Sequence, residues 1–155
     1  MVYYQPMKIL DLLAVSGLTG FYVDDQAAIL AGAGHDGFDY VGKPITTGFT
    51  SIREPGQSLS LMLILDTGEV AQGDCAVVQH SGAGGREPLF NSEEARKLVL
   101  THIAPLLRGR TIGDFRSIAE EFDHVVVDGK RLPAAIRYGL TQALLDAVAK
   151  GRSIT

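Results

Sequence analysis

The stretch SLSLMLILD, Ser58 to Asp66, narrows the possible folds more than any other part of the chain. Leu59, Leu61, Leu63 and Leu65 recur at period two, with Ser58 and Ser60 opening the opposite face. A helix would scatter these leucines around its circumference, whereas a strand gathers them on one side. Asp66-Thr67-Gly68 is a turn signal, and the chain returns through GEVAQGDCAVVQ. Leu59–Asp66 is therefore expected to pair antiparallel with Glu69–Val78. On the returning strand Cys75, Val77 and Gln79 share one face, and Ala76, Val78 and His80 the other.

A leucine face needs a second layer to cover it. Upstream, residues 7 to 15, MKILDLLAV, read as a first strand, although Leu12 to Val15 break strict alternation. Downstream the period becomes helical. Asn91 and Ser92 are good caps, Glu93 and Glu94 suit the positive end of a helix dipole, and Ala95, Leu98, Val99, Ile103 and Leu106 follow as a stripe. Pro105 is expected to break or kink that helix near Ala104. Thr111 with Asp114 resembles a capping pair opening a second helix, IGDFRSIAEEF. In the last helix Pro133 suits the first turn, Ile136, Leu140, Ala143, Leu144 and Ala147 form an apolar stripe, and Gly151 is a terminator. Strands first and helices afterwards indicate α+β.

Between these parts, Gly17 to Ser58 is rich in glycine and aromatics. A short helix around Asp25 to Ala31 is expected there, with loop or irregular strand elsewhere. So long a connection is rarely idle, and it is expected to wrap another surface.

The 155 residues suit one domain, able to bury roughly 70% of the surface exposed on unfolding. Fourteen Lys+Arg against 18 Asp+Glu give a net charge of −4. No basic block provides the footprint that nucleic acid requires. With Cys75 the single cysteine, no intrachain disulfide or thiol pair for structural zinc can form, which fits a cytoplasmic location. ILDLLAV is short, broken by Asp11 and preceded by only Lys8, unlike a secretory signal. No run approaches the roughly 20 apolar residues of a membrane helix.

The chemistry-bearing residues are dispersed. SGAGGR, residues 81–86, is either a surface loop or a flap over a site; it lacks the Lys-Ser/Thr ending of a phosphate loop. His35 and Asp36 in GAGHDGF are either turn residues or an acid–base pair, and turn chemistry is the simpler reading. His102 falls on an apolar stripe as a core-edge histidine, while His80 and His124 stand alone. Asp24-Asp25 suits the start of the short helix, and Glu120-Glu121 suits a solvated helix face. None of this has metal-cluster spacing or completes a catalytic constellation.

Longer strings carry more information. GLTGFYVDDQ, GAGHDGFDYVG, GDCAVVQHSGAGGREPLF, AEEFD and AIRYGLTQALLDAVAK resemble the N-terminal domain of the methylaspartate ammonia-lyase family, from Met7 to about Thr155. IAPLLRGRTIGDF and ALLDAVAKG are similar, more loosely, to the cap domain of the enolase superfamily. Met1–Pro6 then reads as an N-terminal extension and 7–155 as the cap.

The resemblance implies an α+β cap of about three antiparallel strands followed by a helical bundle, which in the superfamily packs on a (β/α)8 barrel absent from this chain. It implies reversible elimination of ammonia from L-threo-3-methylaspartate to mesaconate. A barrel lysine takes the proton, and Mg2+ held by barrel carboxylates stabilises the enolate-like intermediate. K+ as an activator and a homodimer are also implied. No catalytic or metal-binding residue is assigned to this chain, and the isolated chain is expected to be inactive. Gln79, in the C-A-x-V-Q string, is the one substrate-binding residue implied, close to the substrate's amino group. GLTGFYVDD and SGAGGR would shield the site from water. A non-catalytic cap or interaction module is the alternative. Another enolase-superfamily activity fits the long strings less well.

Overall fold

The computed structural model describes residues 6–76 and 87–152. Among these, β1 (Met7–Asp24), β4 (Arg53–Leu65), β5 (Val70–Ala76) and the short β6 (Thr111–Ile112) form an antiparallel sheet in the order β5-β4-β1-β6. The leucine hairpin pairs antiparallel as expected, in a register from Ser58 opposite Ala76 to Ile64 opposite Val70. Leu59, Leu61, Leu63 and Leu65 are buried together with Ala71 and Cys75. Among the described residues, three long strands and one two-residue strand thus make up the sheet.

The broken alternation in β1 has a local cause. Its register against β4 shifts between Ile9 and Asp11, so Met7, Ile9, Leu12 and Ala14 all point into the core. An inserted residue reverses the pleat once, and the apolar face continues. β1 also extends beyond Val15. Residues 17–24 are strand, paired with the first part of β4, where loop or irregular strand was expected.

Helices cover the inner face. α2 (Ser92–Leu98) starts at Asn91, whose side chain accepts the Glu94 N–H. A π-helical turn, Val99–Ile103, joins α2 to α3 (Ala104–Leu107). Pro105 has no N–H for the Thr101 carbonyl, and the Ala104 N–H reaches back to Val99 O. The wider turn rotates the face that follows. Leu107 is buried and Leu106 is exposed, the reverse of the expected stripe, and His102 is exposed instead of sitting at the core edge. The helix is thus re-phased near Ala104, not ended.

α4 (Phe115–Asp123) is capped by Asp114, which accepts from the Ser117 N–H and Oγ. Thr111 is not its capping partner, because Thr111 pairs with Lys8 in the sheet. α5 (Ala134–Gly151) follows Pro133, with Ile136, Leu140, Ala143, Leu144 and Ala147 buried as expected. Between β1 and β4 lie α1 (Gln26–Leu30), β2 (Gly34–Asp36) and β3 (Asp39–Val41), the two strands forming a hairpin. A second hairpin, β7 (Val126–Val127) with β8 (Lys130–Arg131), precedes α5.

Candidate functional site

Gly17, Ser58 and Ala76 form a row across β1, β4 and β5. Beyond this row, among the described residues, only β1 and β4 continue together, as an arm ending at the Asp24–Arg53 pair. The row therefore lies at the last described residue of β5, and the arm departs from it. Glu87, the next described residue after Ala76, accepts the Ala134 N–H at 3.0 and 3.1 Å on its two carboxylate oxygens. The start of α5 is anchored there, so one end of the domain gathers the arm, the end of β5 and the first turn of α5.

Two acidic residues hold the arm. Asp25 is completely buried. It caps α1 by accepting the Ala27 and Ala28 N–H groups, and it also accepts from Ile45 N (2.6 Å), Thr46 N (2.9 Å) and Thr46 Oγ1 (2.6 Å). Burial pushes its pKa up, but these donors outweigh burial and bring it from the ordinary 3.8 down to about 2. Asp24 takes the Arg53 guanidinium through both oxygens, each at 2.7 Å. The same guanidinium donates to Phe38 O and lies 4.6 Å and 4.8 Å from the Phe38 and Tyr40 ring centroids. Its pKa is raised by the Asp24 hydrogen bonds. Tyr22 meets Phe38 edge-on and His35 leans on Tyr40. Residues 17–52 are thus a fastened lobe, with Val23, Ala28, Phe49 and Ile52 buried outside the main core.

The candidates singled out from sequence separate clearly. Asp25 caps α1 as expected. His35 and Asp36 lie in an exposed hairpin with Gly37 at φ 62°, and serve its turn. Glu120 and Glu121 are exposed on α4, and Glu121 forms an ion pair with Arg110. His124 ends α4, with Nδ1 2.8 Å from Glu120 O. Burial, helped by Asp74, pushes the Cys75 thiol up to about 12. Among the described residues, no group of three or more His, Cys, Asp or Glu is placed to hold a metal ion. Gln79, His80 and SGAGGR lie outside the described residues.

Sequence reasoning missed the Arg53 clamp and the edge of β5. The Gln72 N–H donates to Asp146 Oδ2 (2.8 Å) and the Asp74 N–H to Gln142 Oε1 (3.0 Å), so α5 satisfies two donors on that edge. Polar residues four apart in an apolar helix were the available signal. Likewise, Ser92 donates to Gln57 Oε1 from both N–H and Oγ, tying β4 to the start of α2.

The class defined by this geometry is a two-layer α+β cap: an antiparallel sheet covered by helices on one face, with an arm and a strand end delivered to one side. A family model described as "Methylaspartate ammonia-lyase N-terminus" matches residues 7–155, and the chain belongs to that family. It is 58% identical to methylaspartate ammonia-lyase of Clostridium tetanomorphum and 54% identical to that of Citrobacter amalonaticus, over 96% and 92% of this chain. It spans only 36% and 35% of those relatives. Among solved structures, the Clostridium tetanomorphum β-methylaspartase in an Mg complex has a TM-score of 0.93 at 57% identity, with 96% of this chain and 36% of that chain covered. The Citrobacter amalonaticus enzyme containing (2S,3S)-3-methylaspartic acid has a TM-score of 0.91 at 52% identity, with the same coverage.

Proposed function

We infer that this chain serves as the N-terminal domain of a methylaspartate ammonia-lyase, in which ammonia is eliminated reversibly from L-threo-3-methylaspartate to give mesaconate. The supporting observation is the match along residues 7–155 to the N-terminal part of enzymes that bear this name. A relative holding (2S,3S)-3-methylaspartic acid and another complexed with Mg point to the same substrate and ion. The Mg2+ ligands, and any activating K+, are proposed to belong to a barrel domain outside this chain.

The chain's own contribution is enclosure and contact. Gln79 follows the strand that ends at the Gly17–Ser58–Ala76 row, and its amide is proposed to meet the substrate's amino group. The arm leaves from the same row, where it would exclude water from the reacting centre. The working enzyme is proposed to be a cytoplasmic homodimer.

The test joins this chain to the C-terminal portion of the Clostridium tetanomorphum relative and assays deamination of 3-methylaspartate with and without Mg2+. Mg2+-dependent turnover by the joined protein, with none from the 155-residue chain, is the expected result. A folded joined protein with no turnover would favour a non-catalytic module.

A further inference from the structure

We propose that residues 22–53 are a self-contained order–disorder element, which opens as one piece about a hinge in the arm while the sheet and the helices stay folded. Its interior is its own. Val23, Ala28, Phe49 and Ile52 are buried there, apart from the continuous core that joins the sheet to α2–α5. Among the described residues, α1, β2 and β3 pack extensively on none of β5, α2, α3, α4 and α5. The contact at Gly48 is small: a β-carbon there would come 3.4 Å from Leu89 Cβ. With so little apolar surface shared, the element can part from the body at less cost than the body itself unfolds. The device is independent of the reaction that the whole protein performs.

The hinge lies where the arm's pairing falters. Leu18 pairs with Gln57 and Tyr22 with Pro55, so Thr19, Gly20 and Phe21 face the single residue Gly56. Pro55 has no N–H to give the ladder, and the unequal count bends the strand pair. On the body side, Gln57 is tied to the start of α2, its Oε1 accepting from Ser92 N (2.8 Å) and Ser92 Oγ (3.0 Å). Beyond the hinge the fastenings run inward. The Asp25 carboxylate gathers the α1 amides, Ile45 N, Thr46 N and Thr46 Oγ1, and the Asp25 N–H donates to Ile52 O (2.7 Å). Arg53 joins Asp24 to Phe38 O, and so holds the β2–β3 hairpin to the same strands. Polar groups that satisfy one another in a single network are kept or lost together. The helix, the 45–46 segment and the hairpin therefore open as a unit.

Native-state hydrogen exchange, read amide by amide in the 155-residue chain, tests this in wild type and Asp25→Asn. Ile45 and Thr46 lose their acceptor in the variant, so their acceleration alone reports a local bond. The deciding amides are Phe49, which donates to Thr46 O, and the β2–β3 hairpin, which lie away from the Asp25 carboxylate. In wild type, Ile45, Thr46, Phe49 and the hairpin should share one opening, about tenfold or more faster than that of Leu63 and Leu144. Asp25→Asn should accelerate all of them by a common factor of about tenfold or more and leave Leu63 and Leu144 unchanged. A variant with no protection left in residues 22–53 and a protected sheet supports the same conclusion. Acceleration confined to Ala27, Ala28, Ile45 and Thr46 overturns the proposal, because Asp25 is then a local cap. Protection lost from the sheet together with the lobe also overturns it, because the two are then one unit. Arg53→Ala, which leaves Asp25 intact, gives a second reading. Faster exchange at Ile45 and Thr46 together with the hairpin supports the unit, and unchanged rates at Ile45 and Thr46 count against it. Should the short chain show no protected sheet by itself, the same comparison with the same outcomes is made in the protein joined to the Clostridium tetanomorphum portion.

Discussion

Gly139 of α5 rests directly on Cys75 of β5. A β-carbon on the glycine would stand 2.5 Å from the Cys75 Sγ and 2.6 Å from its backbone nitrogen. The contact is reciprocal, since a β-carbon on Gly73 would collide with Gly139 O and lie 2.6 Å from Ala143 N. Two glycines therefore set how closely the last helix approaches the edge strand, and that spacing brings Gln142 and Asp146 within reach of the strand's free N–H groups.

Gly139→Ala tests which of two opposed effects prevails. In an open helix the change would stabilise by about 1 kcal/mol through backbone propensity. Here backbone atoms obstruct the methyl group, and overpacking costs typically about 1–3 kcal/mol, occasionally more. Because the obstructing atoms are backbone and cannot give way, overpacking should win, with a net loss of up to about 2 kcal/mol in urea unfolding. Adding Gly73→Ala should cost less than it does alone, because the first change has already separated the helix from the strand. Neutral or stabilising behaviour of Gly139→Ala would show that the contact is looser than described.

Cys75 should be chemically silent in the native protein. The thiolate is the reactive form, and a thiol whose pKa is pushed up to about 12 carries almost none of it at pH 8. Reaction with an aromatic disulfide reagent should proceed only as fast as the strand opens, and should accelerate in urea in step with unfolding. Labelling in native buffer as rapid as that of a free thiol would contradict the burial.

Asp25 gives a pH dependence of predictable sign. Its folded pKa, about 2, lies below the ordinary 3.8. Its contribution to stability is therefore fully present above about pH 4 and is lost as pH falls through the folded value. The effect should appear first at the amides it holds, with hydrogen exchange at Ile45 and Thr46 accelerating between about pH 4 and 2. Asp25→Asn should flatten that dependence and destabilise the lobe at neutral pH by at least about 1.5–3 kcal/mol, the value of one hydrogen bond to a charged group. An unchanged exchange profile in the variant would remove Asp25 from that role.

How much could be read from sequence depended on whether the determinants were local. The leucine hairpin, the Asn91 and Asp114 caps and the α5 stripe each arise from neighbouring residues, and each was legible. The π turn was not, because it comes from Pro105 acting on a carbonyl one turn earlier, and it moved Leu106, Leu107 and His102 off their expected faces. The arm was read only as loop or irregular strand, because Gly17, Gly20 and Gly56 obscure strand periodicity. Gly17 pairs with Ser58, while Gly20 and Gly56 fall where the register shifts between Leu18 and Tyr22, and there the two strands approach closely: a β-carbon at Gly56 would collide with Thr19 Oγ1 and lie 3.1 Å from Phe21 O. The Asp24–Arg53 clamp joins residues 29 apart in sequence, a separation that no local pattern reveals. Of the proposed site, the sequence identified Gln79 only through family resemblance.

That residue supports the sharpest functional test, made in the joined, active enzyme. If the Gln79 amide lies beside the leaving amine, Gln79→Ala removes one neutral hydrogen bond, worth about 0.5–1.5 kcal/mol. Because about 1.4 kcal/mol corresponds to tenfold, kcat/KM should fall roughly twofold to twelvefold. Proton abstraction depends on groups outside this chain, so activity should weaken and persist. The shortened side chain also leaves space beside nitrogen, which should favour larger amines in the reverse addition to mesaconate. Competing ammonia with methylamine as nucleophile reads this directly, since a general loss of folding lowers both rates together and leaves their ratio unchanged. A shift of the ratio towards methylamine supports contact between Gln79 and the amine. An unchanged ratio in a folded variant removes that contact, and with it the reason for assigning the end of β5 to the substrate.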